Sequence, residues 1–408
     1  MNKLLLTVLL FGLSATVCKK KNAQPEPAPA VIYAANINLA STQQIIRGFG
    51  GATVFRPDLT DEDVSTLFSN LNDSQLGLSI LRIRVSPSGS SDWGIELSNA
   101  KRVKALGGIV IATPWSPPPS MKTNNNTTGG ELSTSWYAAY AAYLKSFADY
   151  MNTNDAELYA LAIQNEPDIQ VNYESCDWSA QQMTDFIKDN SFDIGNTKLL
   201  AAESFHFNQA FTDVILNDAT AASKVSIIGG HIYGGGLARY DNALNKGKEV
   251  WMTEHLDTMT TWNSVLATAK EIHDCMTAAN YSAYLWWYLK RFYGPINESG
   301  QITKRGYVLA QFSKYVRPGY QRVDMSNPAP NVSLSAYEGN GKTVIVAVNM
   351  GNASTIKFNI TGETAPGSFT PHITSTSKSL SSEMPVGVSN GSFTYELPAS
   401  SITTFVSN

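Results

Sequence analysis

Between about residues 47 and 312, short apolar runs ending in polar or Gly-rich turns alternate with longer stretches whose apolar residues recur every three or four positions. That switching of period predicts repeated β-α units around a parallel sheet. Strands are predicted at Gly48–Val54, Ser79–Val85, Gly108–Thr113, Leu158–Gln164, Leu199–Glu203, Val225–Gly229, Glu249–Thr253 and Ser282–Trp287. The span lies close to the ~250 residues typical of an eight-stranded barrel, so the predicted fold class is α/β, a closed (β/α)8 TIM barrel over 47–312. Among the helices, Trp136 to Met151 carries Tyr137, Tyr140, Tyr143, Leu144 and Phe147 on one face, a stripe that reads as core packing. From about Pro318 the texture becomes β-rich, in segments such as Lys342–Asn349, Ser354–Ile360, Phe369–Ile373, Gly391–Leu397 and Ser401–Val406. Asn340-Gly341 and Asn390-Gly391 are turn signals before some of them. A C-terminal β-sandwich side domain is predicted over 313–408, joined by an N-terminal strand over 33–46.

Composition narrows the partners. The chain has 408 residues, 43% of them hydrophobic, enough for a large buried core. Its net charge of −4, with no run of Lys or Arg inside the body of the chain, speaks against nucleic acid. Charged residues are only 16% and aromatic residues 10%, a mixture suited to polar ligands that stack on rings. The predicted state is a monomer.

The N-terminus reads as an export signal. Met1-Asn2-Lys3 precedes an apolar run, Leu4 to Val17, too short to span a bilayer. The signal segment is placed at 1–18 and a Pro-rich tether at 19–32. Two readings of the run's end stand: lipidation of Cys18, giving an outer-membrane lipoprotein of a bacterial cell, or ordinary cleavage, giving a periplasmic or secreted protein. Membrane contact is expected only through that anchor. Cys176 and Cys275 lie about a hundred residues apart without nearby His pairs, so no metal site and no cofactor are expected.

In barrels of this kind the reactive groups stand at the C-terminal ends of the strands. The fourth predicted strand ends Gln164-Asn165-Glu166-Pro167-Asp168, and the seventh ends Met252-Thr253-Glu254-His255. Two carboxylates from opposing sides of a barrel mouth can converge on one bond, which is what glycoside hydrolysis requires. A sugar acetal leaves when its bridging oxygen gains a proton and the anomeric carbon meets an anion. Glu166 is the candidate acid/base, its pKa expected to be raised by burial and by the second carboxylate. Glu254 is the candidate nucleophile, expected to be kept ionised by Tyr233 and Arg84. Arg82 and Arg84 share the inward face of their strand by its period of two, and His255 is assigned to positioning.

These residues sit in a longer series of motifs. Ile46-Arg47-Gly48-Phe49-Gly50-Gly51-Ala52, Thr113-Pro114-Trp115-Ser116-Pro117-Pro118, Gln164 to Asp168 and Trp251 to His255 are followed by Trp286-Trp287-Tyr288-Leu289-Lys290-Arg291-Phe292-Tyr293-Gly294-Pro295 and Lys304-Arg305-Gly306-Tyr307. In this order they resemble glycoside hydrolase family 30, most closely its subfamily 8, the bacterial glucuronoxylan xylanases. The resemblance covers nearly the whole chain after the signal. It implies a (β/α) barrel with an attached β-sandwich and retaining, endo-acting cleavage of β-1,4-xylan. It also implies Asn165 bonding the sugar 2-hydroxyl, with Trp115 and one or more of Trp286, Trp287 and Tyr288 lining the cleft. Arg291 and Tyr293 align with the family's Arg and Tyr for a glucuronic acid branch, and a guanidinium suits that carboxylate. After Glu254-His255, however, the family's Tyr and Ser are replaced by Leu256 and by Thr258 or Met259, and Phe292 stands where a small residue is usual. The resemblance therefore carries the xylanase activity further than a dependence on the branch. The alternatives are a relative acting on another β-glycan, such as β-1,6-glucan, and a non-catalytic glycan-binding surface lipoprotein.

Overall fold

Strand β1 (Ile32–Ile45) precedes the eight parallel strands of a barrel: β2 (Gly48–Ala52), β3 (Ile80–Val85), β4 (Ile109–Pro114), β5 (Ala160–Ala162), β6 (Lys198–Ser204), β7 (Val225–His231), β8 (Glu249–His255) and β9 (Ala283–Trp286). They pair in chain order, and β9 returns to β2 to close the ring. The computed structural model describes Met1 and residues 31–408, with Ile32–Asn408 as one compact unit. The signal segment, Cys18 and the tether as far as residue 30 lie outside the described residues.

The period of two along each strand separates two cores. On β3, Leu81, Ile83 and Val85 pack outward against the helices, while Ile80 and Arg82 face the interior. The barrel floor is filled by Ile80, Ile111, Ala160, Ala162, Leu200, Ile227, Trp251, Ala283 and Leu285, as the layered packing of such barrels demands. Polar side chains nearer the C-terminal ends of the strands therefore rest on an apolar base. The outer helices bury their own apolar stripes. On Tyr137–Thr153, Tyr140, Leu144 and Phe147 are fully enclosed, as the spacing predicts, and Thr60 and Ser179 cap the helices Asp61–Phe68 and Ala180–Asp189 through capping boxes.

The side domain is one curled sheet. It contains β10 (Gln321–Met325), β11 (Val332–Gly339), β12 (Lys342–Asn349), β13 (Ser354–Thr361), β14 (Ser368–Thr374), β15 (Ser381–Ser382), β16 (Val386–Gly387), β17 (Ser392–Leu397) and β18 (Ser401–Ser407). Strand β1 completes it, antiparallel to β10 and parallel to β13. The sheet folds over its own core of Ile37, Leu334, Ile345, Phe358, Phe369, Phe393 and Phe405, which is how the predicted sandwich is realised. On β12 the alternate residues Val344, Val346 and Val348 belong instead to the barrel's core. A strand buried on both faces reads as a continuous apolar run, and Thr343–Val348 has that texture. Polar links cross the same junction: Thr404 Oγ1 donates to the Gln311 carbonyl at 2.8 Å, and Trp262 Nε1 to that of Ser400 at 3.0 Å.

Candidate active site

The end of β5 bends sharply. Asn165 N–H donates to the Pro114 carbonyl at 2.9 Å and Gln164 Nε2 to that of Trp115 at 2.6 Å, fixing the chain against the neighbouring strand. Glu166 then adopts φ 46°, in the left-handed region, and gives its N–H to the Glu203 carbonyl at 2.9 Å. A non-glycine residue held there is strained, and such strain clusters at functional sites. Glu254 follows a register shift: Gly230 pairs with Met252, and His231 with Glu254. That irregularity turns its side chain into the barrel mouth.

The two carboxyls meet. One oxygen each of Glu166 and Glu254 and one ring nitrogen of His231 all lie within 4.8 Å of one another. The carboxyls open onto a cavity of about 370 Å³ also lined by Phe55, Trp115, Tyr173, Phe205, Tyr233, Leu256, Trp287 and Tyr288. Ring contacts run from Phe55 to Trp115, Trp287 and Tyr288 at 5.6, 5.8 and 4.1 Å between centroids, and Phe205 stacks on Tyr233 at 5.1 Å. Such a lining offers broad apolar faces to the faces of sugar rings.

Each carboxyl has its own donors. Glu254 accepts from Arg82 Nη1 at 2.6 Å and from the Tyr233 hydroxyl at 2.9 Å. Glu166 accepts from the Tyr173 hydroxyl on Oε2 at 2.8 Å, with His231 Nδ1 2.9 Å from Oε1. Burial pushes the Glu166 carboxyl upward, but the hydrogen bond and charge of His231, with the Tyr173 hydroxyl and Arg82, more than offset it. The carboxyl therefore stands below its ordinary value, contrary to the raised pKa expected from burial and a neighbouring carboxylate. Burial by itself would lower His231; Glu254 and Glu166 raise it instead. Burial, the charge of Glu254 and the bond to it push the Tyr233 hydroxyl well up, so it stays a donor.

The cluster Glu166, His231 and Glu254 has the donor types of a metal site. The fully buried guanidinium of Arg82 already occupies Glu254 Oε2 at 2.6 Å. Its charge opposes a second cation there, and the set does not fit a metal centre.

Other residues singled out in the sequence divide. Trp115, Tyr233 and Tyr288 line the cavity with the two glutamates. Asn165 is buried beside them, and its Oδ1 accepts from Arg82 Nη2 at 2.8 Å. Arg84 does not reach Glu254: it sits two residues nearer the rim than Arg82 and grips Glu174, with Nε 3.0 Å from Oε1. The period of two put both arginines on the inner face but carried no information on depth. Trp286 is not in the cleft. It points outward from the strand into the barrel's surrounding core, stacked on the Arg305 guanidinium at 4.5 Å, and its neighbour Trp287 takes the cleft position. Arg291 and Tyr293 lie beyond the cavity lining, near Tyr288, and Arg291 Nη1 is 3.5 Å from Glu298 Oε1. His255 Nδ1 bonds Glu271 Oε1 at 2.9 Å and its ring packs on Tyr233, 5.1 Å between centroids. Cys176 and Cys275 are both free and buried.

Arg82 as the partner of Glu254, and Glu203, His231, Tyr173 and Phe55, escaped assignment. His231 and Glu203 stand at or near the ends of β7 and β6, where the strand-end rule that points to Glu166 and Glu254 applies equally. Tyr173 and Phe55 come from loops, where no period marks direction.

The chain matches the family model described as the glycosyl hydrolase family 30 TIM-barrel domain over residues 62–272. It is 39% identical over 389 residues to the glucuronoxylanase XynC of Bacillus subtilis strain 168, covering 91% of each chain. A solved family 30 subfamily 8 xylanase, Xyn30A of Clostridium acetobutylicum, is 45% identical with TM-score 0.87, over 92% of this chain and 99% of that one. A family 30 endoxylanase of Clostridium papyrosolvens C71 is 40% identical with TM-score 0.85, over 92% and 100%. The likeness spans both the barrel and the curled sheet, and with it the chain belongs to glycosyl hydrolase family 30.

Proposed function

We propose that this protein is a retaining, endo-acting β-1,4-xylanase in which Glu254 is the nucleophile and Glu166 the acid/base. One observation carries the reading: the two carboxyls approach within 4.8 Å across an open, aromatic-lined cavity. That spacing suits the ~5–5.5 Å of retaining enzymes and leaves no room for the attacking water of inverting ones, whose carboxyls stand ~6.5–9.5 Å apart. Xylan as substrate rests on the relatives, which are named xylanases at 39–45% identity over more than nine-tenths of the chain. A relative acting on another β-glycan is not favoured.

The reaction follows from the bonds. A Glu254 oxygen attacks the anomeric carbon as the C–O bond to the leaving sugar breaks, and the departing oxygen takes the proton of Glu166. That proton is the one shared with His231 along their 2.9 Å hydrogen bond. Arg82 and Tyr233 hold Glu254 in line throughout. Arg82 can only donate, so it binds the Asn165 carbonyl oxygen and leaves the amide NH2 for the sugar 2-hydroxyl. In the second half, water attacks the same carbon while Glu166 takes its proton, and Glu254 is released as a carboxylate.

The branch pocket is loosened in this chain. Leu256 lines the cavity with a side chain that cannot donate, and Arg291 already faces Glu298. A glucuronate branch is tolerated and not required. A polymer substrate calls for export, the task assigned to residues 1–18, with Cys18 as the lipid site of one route.

The test is digestion of glucuronoxylan, arabinoxylan and linear xylan with mass analysis and NMR of the products. Internal cuts that release the β-anomer first are expected; Glu254→Gln should stop release of reducing ends from xylan and Glu166→Gln should slow it about 10²–10⁴-fold, while the fold survives in both. α-Anomers first, or release by the Glu254→Gln protein at the wild-type rate, would refute the mechanism; glucose-only products would refute the substrate.

A further inference from the structure

Glu203 is a third carboxyl, buried beside Arg82, and the roles of Glu166 and Glu254 leave it without a task. It sits on β6, fully buried, with φ 54° in the left-handed region. Its Oε2 accepts from Thr113 Oγ1 at 2.8 Å and its Oε1 lies 3.1 Å from Arg82 Nη2. The same guanidinium gives Nη1 to Glu254 Oε2 at 2.6 Å and Nε to Thr113 Oγ1 at 3.2 Å. From β7, His231 Nε2 faces Glu203 Oε1 at 4.0 Å and Glu254 Oε2 at 3.9 Å. The Glu203 carbonyl also accepts the N–H of Glu166. Room is made for the side chain by Gly229, where a Cβ would stand 3.2 Å from Glu203 Cγ and 2.7 Å from Leu200 Cδ2.

A simple counter-ion role does not account for this arrangement. A buried guanidinium needs one anion for neutrality, and Glu254 alone supplies it. A second carboxylate is one more than neutrality demands. It matters because Glu254, on the reading above, gives up its charge when it bonds to the sugar.

We propose that Glu203 is a positioning residue of the reaction, acting through Arg82: it shares the guanidinium with Glu254 and remains its partner when Glu254 becomes an ester. In the free enzyme the sharing lets Arg82 aim the nucleophile without absorbing its whole charge. As the Glu254 oxygen bonds to the anomeric carbon and the C–O electrons leave with the departing oxygen, Arg82 swings its electrostatic pairing onto Glu203 with no movement of atoms. Water attack then returns the electron pair to Glu254 and restores the three-way arrangement. Preorganised charge of this kind costs no rearrangement at the moment of reaction.

The proposal rests on Glu254 being the nucleophile, which the Glu254→Gln arm above tests separately. Its own test is the pH dependence of kcat/KM on linear xylo-oligosaccharides for wild type, Glu203→Gln and Glu203→Asp. Removing a like charge favours ionisation of Glu254, so Glu203→Gln should move the acid limb down by about one pH unit. It should also lower kcat/KM about 10- to 100-fold, the nucleophile now being too well stabilised. Glu203→Asp keeps the charge but draws it back from Arg82, and should shift the limb in the same direction by less. A merely structural role would lower thermal stability and active fraction in both variants and leave the limb in place. An unmoved acid limb in Glu203→Gln overturns the proposal; should that protein fail to fold, an unmoved limb in Glu203→Asp does so.

Discussion

The Tyr173 hydroxyl donates to Glu166 Oε2 at 2.8 Å from a loop anchored one residue further on, where Glu174 pairs with Arg84. The buried ammonium of Lys122 binds the next carbonyl, that of Ser175. Three successive residues of one loop are thus pinned, and the first of them donates to Glu166. Tyr173→Phe removes a donor that favours the carboxylate form of Glu166. The basic limb of the pH profile, which reports loss of the acid's proton, should move upward by up to about one unit. A limb that stays or moves downward would show that Tyr173 does not govern Glu166.

On the proposed roles, Glu166→Gln removes the proton donor and leaves the nucleophile. Loss of general acid catalysis is expected to cost about 10²–10⁴-fold on xylan. Aryl xylobiosides with acidic phenol leaving groups need little protonation, so their first step should be nearly spared, and a burst of phenol should appear. Equal loss on both substrates would remove Glu166 from the acid role.

Arg291→Ala tests the branch. With Glu298 beside the guanidinium and Leu256 in the cleft, kcat/KM on glucuronoxylan should fall less than about tenfold, under ~1.4 kcal/mol. Cleavage of linear xylo-oligosaccharides should be unchanged. A hundredfold loss confined to the branched polymer would show that the glucuronate grip is intact.

Glu96 gives a stability prediction away from the reaction. Its carboxyl is buried, with Thr53 Oγ1 at 2.8 Å and Asn99 Nδ2 at 3.4 Å to bind it, and burial pushes it up from an ordinary 4.5 to about 7. The fold prefers the protonated form, so its stabilisation is complete below pH 4.5 and is lost as pH rises through about 7. The difference amounts to about 3 kcal/mol. Glu96→Gln is neutral at every pH, so it should match wild type in Tm near pH 4.5 and exceed it at pH 8. A constant gap in Tm across that range would sink the assignment.

The barrel was legible because its strands end in turn residues and its helices carry stripes; all eight predicted strands overlap observed ones within a few residues. Glu166 and Glu254 were legible for the same reason, since strand ends point into the mouth. Depth along the barrel axis was not. Arg82 and Arg84 share a face, yet one bonds Glu254 and the other a loop. Trp286 and Trp287 are adjacent, and alternation alone could not say which faced the cleft until the closing strand's register was fixed. The lowered state of Glu166 was hidden because its cause, His231, reaches it from 65 positions along the chain.

Strand β1 has a consequence for how the polypeptide is made. It pairs with β10 and β13, whose residues lie between 321 and 361. A ribosome must therefore synthesise almost the whole protein before its first strand finds its neighbours. Until then the edges of β10 and β13 that receive β1 stay vacant and the sheet is incomplete, so the side domain is among the last parts of the protein to close.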